Sequence, residues 1–219
     1  MKQTSKLVAG IYVVVVVLDL FFIYLRQDGL RWISKPLLMP LLMLVFYFAS
    51  KKKTGALFYL ILAALFLSWC GDVLLQAKDL FIPGLLSFLL AHVCYIMYFK
   101  KAGKHQRGLL HKKPELVLPV LLYIIFLLVF LFPYLQQLKI PVVVYSVTIG
   151  VMLLMAIHTS QQLPKRAACF FIAGALLFVV SDSLLAVNLF VVQHWVLGLS
   201  VMATYGAAQY LIIKGALEN

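Results

Sequence analysis

Long apolar runs, separated by short clusters of charge, proline and glycine, organise this chain from end to end. A helix needs roughly 20 consecutive, mostly apolar residues to cross a hydrocarbon core of about 30 Å. By that measure the pattern predicts eight spans, near residues 7–25, 33–49, 55–76, 81–99, 115–133, 140–159, 167–189 and 195–213. Lys35, Pro36 and Pro40 crowd the start of the second span, which is read with its prolines at the helix entry, where backbone donors lack intrahelical partners anyway. No polar stretch is long enough for a separate soluble domain. Residues 1–219 therefore read as a single membrane domain, an all-α bundle of eight transmembrane helices.

Composition agrees, with 64% hydrophobic and only 12% charged residues. The net charge of +12 would matter for nucleic acid if it formed a patch, but the basic residues sit in clusters between spans. Orientation and anionic headgroups account for such clusters, so no nucleic-acid partner is expected. Of the 19 Lys and Arg, 14 fall on the side of the N-terminus, including Lys51–Lys53 and the loop Lys100–Lys113. The other five are Arg26, Arg31, Lys35, Lys78 and Lys139. That excess predicts cytoplasmic termini, with the expected location a bacterial inner membrane. The start MKQTSK before an apolar run resembles a signal peptide, but Asp19 and Arg26 follow without a clear cleavage site, so it reads as a retained span. Cys70, Cys94 and Cys169 have neither metal-type spacing nor a disulfide framework, and no metal or cofactor is expected.

Against this background two carboxylates stand out, Asp72 in LFLSWCGDVLL and Asp182 in LLFVVSDSLLA. An Asp at the centre of a span costs roughly 2.5–3.5 kcal/mol on insertion scales, and such residues mark pathways and active sites. Overlaying spans 1–4 on spans 5–8 brings Asp72 onto Asp182 and Gly84 near Gly198, the outline of a four-plus-four parallel repeat. Alternating spans put both carboxylates at similar depth towards the outer leaflet, with Asp19 and Lys35 at the same level. Deeper, His92 and Tyr95 share one helix face, as do Tyr205 and Gln209, while Ser68 and Trp69 flank the face of Asp72. A pocket with this polar top and these aromatic walls suits a single-chain amphiphilic lipid. Plainer readings stand beside it. Asp72 and Lys35 could be a pair holding two spans, His92 and Tyr95 could bond across helices, and Lys35 could snorkel to the interface.

The segments KPLLMPLL (35–42), SWCGDVLL (68–75), GLLSFLLAHVCYIMYF (84–99), SDSLLA (181–186) and YGAAQYLI (205–212), in this order, resemble the YhhN-like lysoplasmalogenase family. The resemblance covers nearly the whole chain. It implies an eight-span fold and hydrolysis of the vinyl ether bond of lysoplasmalogens, giving a fatty aldehyde and a glycerophospho-ethanolamine or -choline. Matching positions are Lys35, Asp72, His92, Tyr95, Asp182, Tyr205 and Gln209.

Vinyl ether hydrolysis starts with protonation of the distal alkene carbon and passes through an oxocarbenium ion. Glycoside cleavage presents a similar charge problem, solved by one carboxylic acid and one carboxylate. Asp72, beside Trp69 and Cys70, is the expected proton donor, and Asp182 the expected cation stabiliser or water activator. Lys35 is expected to receive the phosphate, with His92 and Tyr95 placing substrate or water. The partners are then a single-chain phospholipid and bilayer lipids. Two other readings are a transporter or flippase of lipids or small amphiphiles, and a hydrolase of a different lysolipid. A metal-dependent hydrolase would need several ligands, whereas only His92 and His158 lie inside spans, far apart.

Overall fold

The computed structural model describes residues 2–51, 53–77, 79–103 and 108–219. Of the charges counted for orientation, Lys52, Lys78, Lys104 and Arg107 lie outside the described residues. In chain order the helices are α1 (Lys2–Tyr24), α2 (Asp28–Ala49), α3 (Ala56–Gln76), α4 (Phe81–Ala102), the short α5 (Leu109–Lys112), α6 (Val117–Leu131), α7 (Lys139–Thr159), α8 (Lys165–Phe190) and α9 (Trp195–Glu218). No strand occurs among the described residues. Eight helical segments are long and apolar enough to span a membrane, the fifth running from Pro114 to Tyr134 through α6 and its flanking 3-10 turns. Such a chain is an integral, multi-pass membrane protein.

The second span differs from the sequence expectation. It begins at Asp28 rather than near 33, so Pro36 and Pro40 lie inside α2 and not in its first turn. Arg26 turns the chain with φ 57°, and Asp28 then supplies a negative charge to the first turn, where the helix dipole favours it. Proline within a helix removes a backbone donor and leaves the carbonyl four residues earlier without its partner. For Pro40 that carbonyl is on Pro36, and the indole Nε1 of Trp69 donates to it at 2.9 Å. Gln76 Nε2 donates to the Arg31 carbonyl at 3.0 Å, one residue before the Trp32 carbonyl that Pro36 leaves free. Two side chains of α3 thus hold the proline-bearing half of α2 in place.

Helices α8 and α9 are the most extensively packed pair. A Cβ built on Gly174 would lie 3.0 Å from the Ala208 carbonyl oxygen and 3.1 Å from the Ile212 nitrogen, so only glycine allows this approach of the two backbones. One cluster of buried side chains joins α1–α4 with α7–α9, centred on residues such as Leu38, Ile61, Phe99 and Phe178. α6 packs mainly through a second, smaller cluster around Leu131, Leu135 and Val142. Of α6 only Ile124 and Leu131 are buried, and side chains such as Leu121, Phe126 and Val129 are exposed on the face left for lipid.

The candidate active site

The small residue before each membrane carboxylate sets how its helix packs. Gly71 lets the Phe88 ring of α4 come so close that a Cβ there would sit 2.5 Å from Cδ2. The Ser181 hydroxyl donates to the Val201 carbonyl at 3.1 Å, tying α8 to α9. Asp72 and Asp182 follow directly, and both line one cavity of about 440 Å³. Lys35 of α2, Tyr205 of α9 and Phe88 line it too, at the end of the bundle where α3 and α8 finish and α2, α4 and α9 begin.

The two carboxylates have unlike partners. Asp72 is almost fully enclosed, with 2% of its side chain exposed. The Lys35 Nζ lies 3.4 Å from its Oδ1, and the Tyr205 hydroxyl donates to its Oδ2 at 2.7 Å. Asp182 accepts from the Tyr145 hydroxyl on Oδ2, with His92 Nε2 3.9 Å from the same oxygen. His92 is fully buried between Tyr145 and Phe178, whose rings meet it edge to face, and neither ring nitrogen has a hydrogen-bond partner among the described residues. A permanent cation therefore faces Asp72, whereas a phenol and an imidazole face Asp182.

Other expected site residues lie elsewhere. The Tyr95 hydroxyl donates to Gln209 Oε1 at 2.6 Å, and Gln209 Nε2 donates to Ser68 Oγ at 3.0 Å. Ser68 and Gln209 are each one helical turn from Asp72 and Tyr205, so this α3–α4–α9 network forms a floor beneath the carboxylate layer. Neither Tyr95, Gln209 nor Trp69 lines the cavity, and the Trp69 indole is committed to Pro36. Asp19 is also outside the cavity, buried between α1 and α2, where the Ser34 hydroxyl donates to its Oδ1 and Arg31 Nε lies 3.7 Å away. The expected layer of three carboxylates and one ammonium is thus divided: Lys35, Asp72 and Asp182 meet, while Asp19 backs Arg31.

Tyr145 and Arg31 were missed in the sequence. Tyr145 is the single Phe, Tyr or Trp of α7, but no spacing in the sequence ties it to Asp182 on α8. Arg31, counted only as an orientation charge, would have emerged from its four-residue spacing to Lys35 had α2 been started at Asp28.

A narrow apolar cleft adjoins the cavity, sharing Leu75, Phe81, Phe88, Asp182, Leu185 and Leu189 with it. It continues between α4, α7 and α8 to Ile124, Leu127 and Leu131 of the lipid-facing α6. Asp182 thus stands where the cavity meets the apolar cleft, while Asp72 lines the cavity alone. Among the described residues, no group of three or more His, Cys, Asp or Glu is arranged to hold a metal ion.

The model of the YhhN family matches residues 30–216. The chain belongs to the YhhN family. Among relatives of this YhhN protein, lysoplasmalogenase TMEM86B of Rattus norvegicus is 30% identical over 204 residues, covering 91% of the chain and 79% of that protein. TMEM86B of Mus musculus is 30% identical over 201 residues, covering 91% and 82%. A protein of Mycobacterium tuberculosis named lysoplasmalogenase is 31% identical over 160 residues, covering 69% and 58%. No solved structure matches the chain significantly.

Proposed function

We propose that this protein is a hydrolase that splits the vinyl ether bond of lysoplasmalogen, releasing a fatty aldehyde and a glycerophospho-ethanolamine or -choline. The observation that carries the reading is the pair of unlike carboxylates lining one cavity, with Asp182 at the point where that cavity opens into an apolar cleft. The names of the relatives point to the same substrate class. The reacting bond would lie between Asp72 and Asp182, with the hydrocarbon chain along the cleft towards α6 and the glycerol in the cavity.

The carboxylates take roles opposite to those expected from the sequence. A stabiliser has to be negative, and Lys35 at 3.4 Å suits Asp72 to that form. An acid has to begin the cycle protonated, and Asp182 has no permanent cation beside it. Asp182 delivers its proton to the distal alkene carbon, and the π electrons form the new C–H bond. The carbon bonded to oxygen becomes the centre of an oxocarbenium ion, which the Asp72 carboxylate steadies. Water adds to that carbon and gives up a proton, which restores the acid. The hemiacetal then collapses, breaking its bond to the glycerol oxygen and leaving aldehyde and alcohol. Tyr205 and Tyr145 position the two carboxylates, and His92, adjacent to Asp182, orients the incoming water.

The charge asymmetry between the two sides supports cytoplasmic termini and a cavity that opens towards the outer face. The whole chain then acts as one membrane domain.

Product analysis tests the reading. Purified protein supplied with lysoplasmenylethanolamine is expected to release fatty aldehyde and glycerophosphoethanolamine in equal amounts. Movement of intact lipid across proteoliposomes without either product would make the protein a transporter. Fatty acid released from an acyl lysolipid, with the vinyl ether untouched, would make it a different hydrolase.

A further inference from the structure

Lys35, expected from the sequence to take the phosphate, is engaged with Asp72. Arg31 lines the same cavity four residues earlier on α2, hence on the same face and about 6 Å nearer the helix start. Asp19 lies behind it at 3.7 Å from Nε, a nitrogen that is buried and donates no hydrogen bond among the described residues, while 24% of the Arg31 side chain remains exposed. Asp28 and Trp32, both exposed, complete this part of the cavity mouth. Asp28 makes no ion pair among the described residues, since Arg31 pairs with Asp19 instead.

We propose that Asp28, Arg31 and Trp32 form a site for a zwitterionic phosphate headgroup, the Arg31 guanidinium holding the phosphate and Asp28 with Trp32 holding the ammonium. This deepens the proposed hydrolysis and rests on it for the placement of the lipid. The guanidinium fork matches two phosphate oxygens at once, and the carboxylate behind it limits its freedom to turn away. Side chains three apart on a helix are neighbours, at about 5–6 Å between Cβ atoms, which suits a phosphate and an amine joined by two methylenes. The Trp32 ring offers a face to an ammonium or its methylated form. Depth is consistent as well. One helical turn separates Lys35, level with Asp72, from Arg31, and in the lipid the glycerol frame separates the vinyl ether from phosphorus. Closer to Asp72 and Asp182, a phosphate would face two carboxyl groups, so the mouth is where an anion fits.

Binding of a saturated alkyl-ether lysophosphoethanolamine, which has no vinyl ether to split, tests this by calorimetry on the purified protein. Arg31→Gln is expected to weaken binding at least about tenfold, the loss of a hydrogen bond to a charged group. Binding of the matching alkylglycerol, which lacks phosphate, is expected to stay unchanged. Asp28→Asn should weaken the zwitterionic lipid and leave the analogue with phosphate but no amine at wild-type affinity. Unchanged affinity in Arg31→Gln, or an equal loss for lipids with and without phosphate, would overturn the site. The expected differences in a protein that never splits the vinyl analogue would support the headgroup site and overturn the hydrolysis.

Discussion

Asp182→Asn is expected to lower turnover of lysoplasmalogen by about 10²–10⁴-fold, the contribution typical of a positioned general acid. Asparagine keeps the shape of the side chain and can still accept from Tyr145, but it has no acidic proton to give. Affinity for the saturated ether lipid should stay near that of the unmodified protein, because the loss lies in the chemical step. The size of the fall follows from the reaction. Carbon protonation is slow without a held acid, and of the pair Asp72 and Asp182 it is Asp182 whose partners among the described residues do not include a permanent cation. A small exogenous carboxylic acid is expected to restore part of the rate to Asp182→Ala and none to Asp72→Ala. Comparable turnover in Asp182→Asn and the unmodified protein would remove Asp182 from the mechanism, and rescue confined to Asp72→Ala would exchange the two roles.

Asp72→Asn is expected to reduce turnover by about 10²–10³-fold, as when one preorganised electrostatic stabiliser is taken from a transition state. Its second effect separates it from Asp182. Removing one member of a buried ion pair strands the other, at about 3–5 kcal/mol when both are fully enclosed. The cost here is smaller, because Lys35 keeps 14% of its side chain exposed. The variant should therefore unfold at lower temperature in detergent and also bring an unopposed ammonium close to the developing cation. Changing Lys35 to Met as well should recover stability without recovering turnover. Recovery of both would make the Asp72–Lys35 pair a strut between α2 and α3, and the chemistry would then lie elsewhere.

The eight spans were legible because membrane insertion imposes its signal on every span: the chain must be apolar over about 20 residues and its backbone bonded within itself. The start of α2 was not, because prolines at 36 and 40 look like entry signals. The carbonyl that Pro40 frees is met by Trp69, and Gln76 anchors the same helix at Arg31, both distant in sequence. The two carboxylates were visible as isolated acids in apolar runs. Their unlike partners were hidden, because neighbours along the chain, Trp69 and Cys70 for Asp72, say nothing about the cation that another helix brings. Lys35, Tyr205 and Tyr145 reach the carboxylates from α2, α9 and α7. The face shared by His92 and Tyr95 was read correctly as a helix face, but each residue serves a different neighbour: His92 reaches Asp182, whereas Tyr95 closes a network with Gln209 and Ser68.

Hydrolysis of lysoplasmenylethanolamine in D₂O, followed by mass spectrometry of the aldehyde, tests most directly that this protein acts by protonating carbon. A solvent-exchanged acid places its deuteron on the distal alkene carbon, which becomes the carbon next to the carbonyl. The account predicts aldehyde with one deuterium at that carbon, formed at a rate that collapses in Asp182→Asn. Aldehyde without deuterium there, or no aldehyde at all from the unmodified protein, would contradict it.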